Sequence, residues 1–196
     1  MDIDVDDLGC IMLDLEPMEV LGHMPLGSED DLFENPSWDQ GALPAETVPH
    51  VTLLYGLLEN GNKWKNKVDQ LLDGWDLNSV KIDHVGYFDT PDSYAVVAHL
   101  EKTPELIDGH ERLTLLPHIN TFSEYLPHMT LAYVKKEADV DSWVDTLNKV
   151  YAGKTVQAAG INYGDKDDDD TTDNSMKKKK KQERQNVQIL LRQARL

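Results

Sequence analysis

Cysteine is nearly absent from this 196-residue chain: Cys10 stands alone. One thiol allows no intrachain disulfide and no thiolate zinc site, and the metalloprotease pattern HExxH is missing too. No hydrophobic run approaches membrane-spanning length, and the first residues, MDIDVDDLG, are acidic where a secretory leader would be basic. These absences lead to the expectation of a cytosolic, soluble protein with no dedicated metal site, no cofactor and no membrane partner. Positive charge is also scarce. The net charge is −17, composed of −20 in residues 1–165 and +3 in the remainder. A body this acidic repels duplex DNA and long RNA. A few placed donors still suffice for a small phosphate ligand.

What is present suffices for one core, with 40% apolar residues and a body ending near Asp165. Residues 9–16 read as a first strand. Residues 22–47, rich in Pro, Gly and acids, read as a long loop or lid with room for one short helical turn. A helix is expected over 63–75, where Trp64, Val68, Leu71, Leu72 and Trp75 recur at helical spacing. Residues 79–101 read as a hairpin turning at TPDS. Pro104 opens a helix running to Leu116, and a further helix covers 137–151, closed by Gly153. Residues 154–163 form the last strand. Strands and helices therefore alternate in two similar halves, an α+β duplicated architecture. Residues 166–181, KDDDDTTDNSMKKKKK, read as a charged flexible linker. In 182–196, Val187, Leu190, Leu191 and Ala194 share helical spacing, which makes this tail a candidate docking segment for a protein partner.

One phrase occurs twice. PHVTLLYG spans 49–56 and PHMTLAYV spans 127–134. On a strand, alternate side chains share a face. His50, Thr52 and Leu54 are then expected on one side, and Val51, Leu53 and Tyr55 in the core. The second copy places His128, Thr130 and Ala132 against Met129, Leu131 and Tyr133. A single copy is an ordinary half-exposed strand; two copies with matching flanks supply two halves of one site. One imidazole can remove a proton from an attacking hydroxyl or water while the other protonates the leaving oxygen. The threonine hydroxyls can donate to the non-bridging phosphate oxygens, where charge accumulates. This chemistry needs no metal.

Paired H-x-T motifs on strands in two halves resemble the two-histidine (2H) phosphoesterase superfamily, the LigT-like or 2′-5′ RNA ligase-like proteins. The resemblance covers about residues 9–164. It implies a bilobal, pseudo-symmetric α+β fold, with antiparallel sheets flanking a central groove and helices outside. It also implies metal-independent cleavage of nucleotide phosphodiesters, with His50 and His128 catalytic and Thr52 and Thr130 binding phosphate. The compact form is similar to phage-encoded members, one branch of which cleaves the cyclic oligonucleotide signals of antiphage (CBASS) defence; for such a member the setting is the host cytosol. Many tRNA-directed members carry an arginine shortly after the second motif, where this chain has Lys135 and Lys136. The expected partner is thus a small nucleotide or cyclic oligonucleotide. The alternatives are an RNA 2′,3′-cyclic phosphate or 2′-5′ linkage, and a protein that sequesters a nucleotide without turning it over.

Further candidates are weaker in pattern. Lys135 and Lys136 could neutralise a phosphate or simply end a strand in solvent. Tyr125, Tyr87, Phe88 and Trp38 could stack on a base, a role that competes with ordinary packing. His118 reads as a groove-side loop residue and His23 as lid or surface, while His84, His99 and His110 read as structural. Asp14 and Glu16 flank the end of the first strand, where a carboxylate could orient a histidine.

Overall fold

Alternating apolar positions become strands here, and apolar positions at 3.6-residue spacing become helices. The computed structural model describes residues 8–34, 48–120 and 123–163. In chain order its elements are β1 (Gly9–Leu15), β2 (His50–Leu57), α1 (Lys65–Leu71), β3 (Ser79–Asp89), β4 (Ser93–Leu100), α2 (Pro104–Leu113), β5 (His128–Lys135), α3 (Val140–Tyr151) and β6 (Thr155–Asn162). Short 3-10 turns occupy Leu21–His23, Ser28–Asp31 and Gly61–Trp64. The helix expected from Lys63 therefore starts as a 3-10 turn, with the Asn60 side chain accepting from the Asn62 amide, and its α portion stops at Leu71. The linker at 166–181, the tail at 182–196 and the second half of the expected lid (35–47) lie outside the described residues.

The strands make one antiparallel sheet in the order β2-β1-β6-β3-β4-β5. It falls into two three-stranded lobes, because β3 and β6 pair only through Ser79, Val80 and Lys81 opposite Gln157, Val156 and Thr155. The two lobes are the two expected sheets, joined into one. The octapeptide strands form opposite edges, β2 on one lobe and β5 on the other. Sheet twist and curvature nevertheless bring these edges close, so that residues of β2 and β5 approach one another directly.

Helices cover the other face. Thr103 caps α2 by accepting from the Leu106 amide at 3.3 Å, and Pro104 occupies the first turn, where its missing N–H is not needed. Asp139 caps α3 at the Ser142 amide, and Gly153, at φ 78°, terminates it. Val140, Trp143, Leu147 and Tyr151 of α3 are buried in the core that includes Val80, Ile82 and Val85 of β3. Full burial of each such side chain contributes about 1.5–3 kcal/mol. A register shift in β3 between Ile82 and His84 interrupts its ladder with β4, and the Val85 amide donates to Asn148 Oδ1 of α3 at 2.8 Å.

Candidate active site

Both octapeptides carry the same irregularity. In the β1–β2 ladder, Met12 faces Thr52 but Ile11 faces Leu54, so β2 has an extra residue at Leu53. In the β4–β5 ladder, Val97 faces Thr130 but Val96 faces Ala132, with the extra residue at Leu131. Each is a β-bulge, and beyond a bulge the alternation resumes with its parity reversed. Leu53 and Leu54 consequently both enter the helix-side core, as do Leu131 and Ala132. By the register beyond each bulge, Tyr55 and Tyr133 return to the face that His and Thr share, and Tyr133 packs there with Ala95, Val97, Phe33 and Phe88. Strict alternation had put Leu54 and Ala132 in the groove and both tyrosines in the core; the bulges exchange them.

The duplication extends to the partner strands. Cys10, Ile11, Met12, Leu13 and Asp14 face β2 just as Ala95, Val96, Val97, Ala98 and His99 face β5. The next amides do the same, Leu15 donating to the Pro49 carbonyl and Leu100 to the Pro127 carbonyl, both at 3.0 Å. This accounts for the proline that opens each phrase: its position needs an acceptor and no donor.

Edge strand β2 is closed by residues from the second half of the chain. Tyr125 donates its phenol to the Thr52 carbonyl at 3.0 Å, His110 Nδ1 donates to the Leu53 carbonyl at 2.7 Å, and the Ile119 amide to the Gly56 carbonyl at 2.8 Å. The His110 and Tyr125 rings stack at 3.9 Å with 5° between their planes. Gly56 ends the first phrase because it sits at φ 96°, and a Cβ there would lie 2.3 Å from the Ile119 carbonyl oxygen.

His50 opens β2 and is buried, whereas His128, Thr52 and Thr130 are half-buried. His128 Nδ1 donates to the Leu126 carbonyl at 2.8 Å, which leaves Nε2 as the lone-pair nitrogen of the neutral ring. Burial lowers the pKa of His128, and the Leu126 carbonyl partly opposes this. His99, directly across from His128, is lowered to about 4 by burial and by His84 and His128 beside it. Its ring stacks on His84 at 4.6 Å and occupies the space above Gly86, where a Cβ would lie 3.2 Å from its Nε2. Phe88 stands edge-on to both His99 and His128, at 5.6 and 5.1 Å. Across from His50 stands Asp14, whose carboxylate accepts from the Asn162 amide group at 3.3 Å.

Other candidates lie elsewhere. Lys135 is seven residues along β5 from His128, roughly 20 Å on an extended strand. There it donates to the Asp30 carbonyl at 2.5 Å and lines a hollow of about 480 Å³ with Glu29, Phe33 and Asp92. Lys136 pairs with Asp89 and lies over the Tyr94 ring. The structure brings neither lysine to the histidines. Tyr125 borders the site, but His110 occupies one face of its ring, and burial raises its phenol pKa above the ordinary value. His118 donates Nδ1 to the Leu116 carbonyl and pairs with Leu57 at the edge of β2, and His23 packs edge-on against Tyr151. Trp38 lies outside the described residues. Among the described residues, no three or more His, Cys, Asp or Glu gather as a metal site, and no helix is long and apolar enough to cross a membrane.

The family model described as the 2′-5′ RNA ligase superfamily matches residues 36–169, which include both H-x-T strands. The chain belongs to this superfamily. Among solved structures, Usb1 of Kluyveromyces marxianus is similar in fold, with a TM-score of 0.51 at 10% identity over 82% of this chain and 96% of that one. The same protein with uridine monophosphate aligns at a TM-score of 0.47 and 12% identity, over 74% of this chain and 85% of that one. No curated protein sequence matches the chain. Membership in the 2′-5′ RNA ligase superfamily supports phosphodiester chemistry of the kind its paired histidines can perform. His99 and His110 had no sequence signature, and Asp14 was a candidate carboxylate without an assigned partner: each meets its partner on another element, and no spacing encodes that.

Proposed function

We propose that this protein is a metal-independent phosphodiesterase acting on a small RNA-type nucleotide, with a cyclic oligonucleotide signal as the favoured substrate. The observation that carries this reading is the matched pair of bulged edge strands, which gives His50 with Thr52 and His128 with Thr130 the same setting on the two sides of the groove. One histidine takes the proton of an attacking hydroxyl and the other protonates the departing oxygen. The two threonine hydroxyls donate to the non-bridging oxygens as charge builds on them. The ribose 2′-hydroxyl next to the scissile phosphate is the natural nucleophile, so a deoxy analogue should be inert.

The preference for a small substrate rests on charge. An acidic body repels a long polyanion, and Lys135 and Lys136 are engaged with Asp30 and Asp89 away from the histidines. Such a substrate would be met in the cytosol, and for a phage-encoded protein its removal would serve counter-defence. The test is incubation with excess EDTA against cyclic di- and trinucleotides, 2′,3′-cyclic nucleotides and 2′-5′ oligonucleotides, with wild type and His128→Ala side by side. Turnover by wild type alone is expected. Recovery of every substrate intact, or loss of activity on chelation, would overturn the proposal.

A further inference from the structure

The two halves of the site match position for position until the residue opposite the histidine. Opposite His50 in the β1–β2 ladder is Asp14; opposite His128 in the β4–β5 ladder is His99. Directly opposed side chains on one face of an antiparallel pair have Cβ atoms about 4.5–5.5 Å apart. One histidine thus has an anion as its nearest strand neighbour and the other has a second imidazole. We propose that this difference gives the acid–base pair a fixed direction: His128 is the general base and His50 the general acid, with Asp14 and His99 as the positioning residues that set it. The inference rests on the phosphodiesterase reading above and adds the role of each histidine.

Three observations support it. Asp14 is the strand neighbour directly opposite His50, and an anion on that side of the ladder favours the proton-carrying form of the imidazole. The Leu126 carbonyl holds the proton of the neutral His128 ring on Nδ1 and leaves Nε2 able to accept one. His99 is sandwiched between His84 and Phe88 above Gly86 and offers His128 no negative charge. The remaining groups around the pair do not reverse this. From β3 come His84 and Asp83, which pair with each other, and from β6 comes the neutral Asn162, bound to Asp14. Just past β4, Glu101 pairs with Lys81 of β3 and Lys102 with Glu124.

The step then runs one way. The 2′-hydroxyl proton passes to His128 Nε2 as the O2′–P bond forms. The P–O5′ bond breaks, its electron pair leaves with O5′, and O5′ takes the proton of His50. The products are a 2′,3′-cyclic phosphate and a 5′-hydroxyl; solvent then removes the proton from His128 and returns one to His50.

Two measurements on the full chain test this. The first follows the imidazole NMR signals with pH in wild type, Asp14→Asn and His99→Asp. His50 should titrate above His128, Asp14→Asn should lower the His50 midpoint by about one pH unit, and His99→Asp should raise that of His128. A wild-type His128 that titrates at or above His50, or an Asp14→Asn change that leaves His50 where it was, would overturn the assignment. The second compares uridylyl-(3′→5′)-uridine with uridine 3′-(p-nitrophenyl phosphate), whose leaving group needs no proton. Loss of the general acid should cost about 10²–10⁴-fold on the dinucleotide and be largely restored on the nitrophenyl ester. That behaviour is expected of His50→Ala, whereas His128→Ala should stay impaired on both; the reverse pattern would overturn the assignment. If wild type cleaves neither ester nor any nucleotide of the wider panel, the phosphodiesterase reading fails, and the NMR titration still decides the polarity of the pair.

Discussion

The phenol of Tyr125 donates to the backbone carbonyl of Thr52, while the Tyr125 ring lies flat on the imidazole of His110. The loop before the second motif thereby holds the backbone of the first. Tyr125→Phe keeps the stacked ring and removes the donor, leaving a carbonyl at the β2 edge without it. The expected cost is about 0.5–1.5 kcal/mol in urea unfolding. A larger fractional loss in kcat than in substrate affinity should accompany it, because Thr52 is the group that loses its support. Unchanged kcat would show that this tether does not position the threonine.

Gly56 has two reasons to be glycine, its left-handed φ and the Ile119 carbonyl that a side chain would strike. Gly56→Ala adds strain of about 1–3 kcal/mol from the backbone alone, before the collision with the main chain. The expected outcome is a strongly lowered melting temperature. Gly74→Ala, at φ 68° with open space around it, isolates the backbone contribution and should cost less.

Thr52 and Thr130 can be separated from their histidines by shape-conserving change. Thr52→Val and Thr130→Val each remove one hydroxyl that the proposed mechanism assigns to the phosphate and should lower kcat by about 10²–10³-fold, the range for a lost oxyanion donor. Serine at either position should restore most of the rate. Steady-state kinetics on whichever phosphodiester proves active checks this, and equal losses in serine and valine variants would contradict it.

His99 makes stability depend on pH. Its folded pKa of about 4 lies below the ordinary histidine value of 6.5, so between these values the unfolded chain binds a proton that the folded chain refuses. Stability therefore rises with pH across that window and levels off above it. Because the ring is only partly buried, solvent screening reduces the effect to on the order of 1–2 kcal/mol. Urea midpoints at pH 5 and 7.5 should differ for wild type, and the difference should shrink in His99→Gln.

The strand assignments were legible because PHVTLLYG and PHMTLAYV place apolar residues at alternate positions and repeat them with the same flanks. His50, Thr52, His128 and Thr130 followed from that alternation, since all four precede the bulges. Tyr55 and Tyr133 did not, because a bulge reverses parity after it and period-two reasoning has no place for one. The signal lay in the apolar doublets, Leu53-Leu54 and Leu131-Ala132, where strict alternation would have exposed the second member. Asp14 was visible as a carboxylate near a strand end, but pairing it with His50 requires the β1–β2 register. Lys135 looked adjacent to the second motif in sequence, yet an extended strand carries it far from the histidine. His110 belongs to a helix four elements away from its partner carbonyl in the first fold half, a distance that only the packed molecule closes.

The first lobe is closed by β6, the last strand among the described residues, which pairs with β1, and its edge is sealed by His110, Ile119 and Tyr125. His50 is therefore among the earliest parts of the site to leave the ribosome and among the last to acquire its surroundings. During synthesis, β2 waits for residues that lie 57 to 73 positions further along the chain to satisfy its edge. Such delayed, non-local closure slows folding and leaves the edge open to wrong partners in the interim. It also means that neither repeat is a self-sufficient unit. A chain interrupted anywhere before Asn162 should fail to complete the candidate site, whatever fraction of its helices has formed.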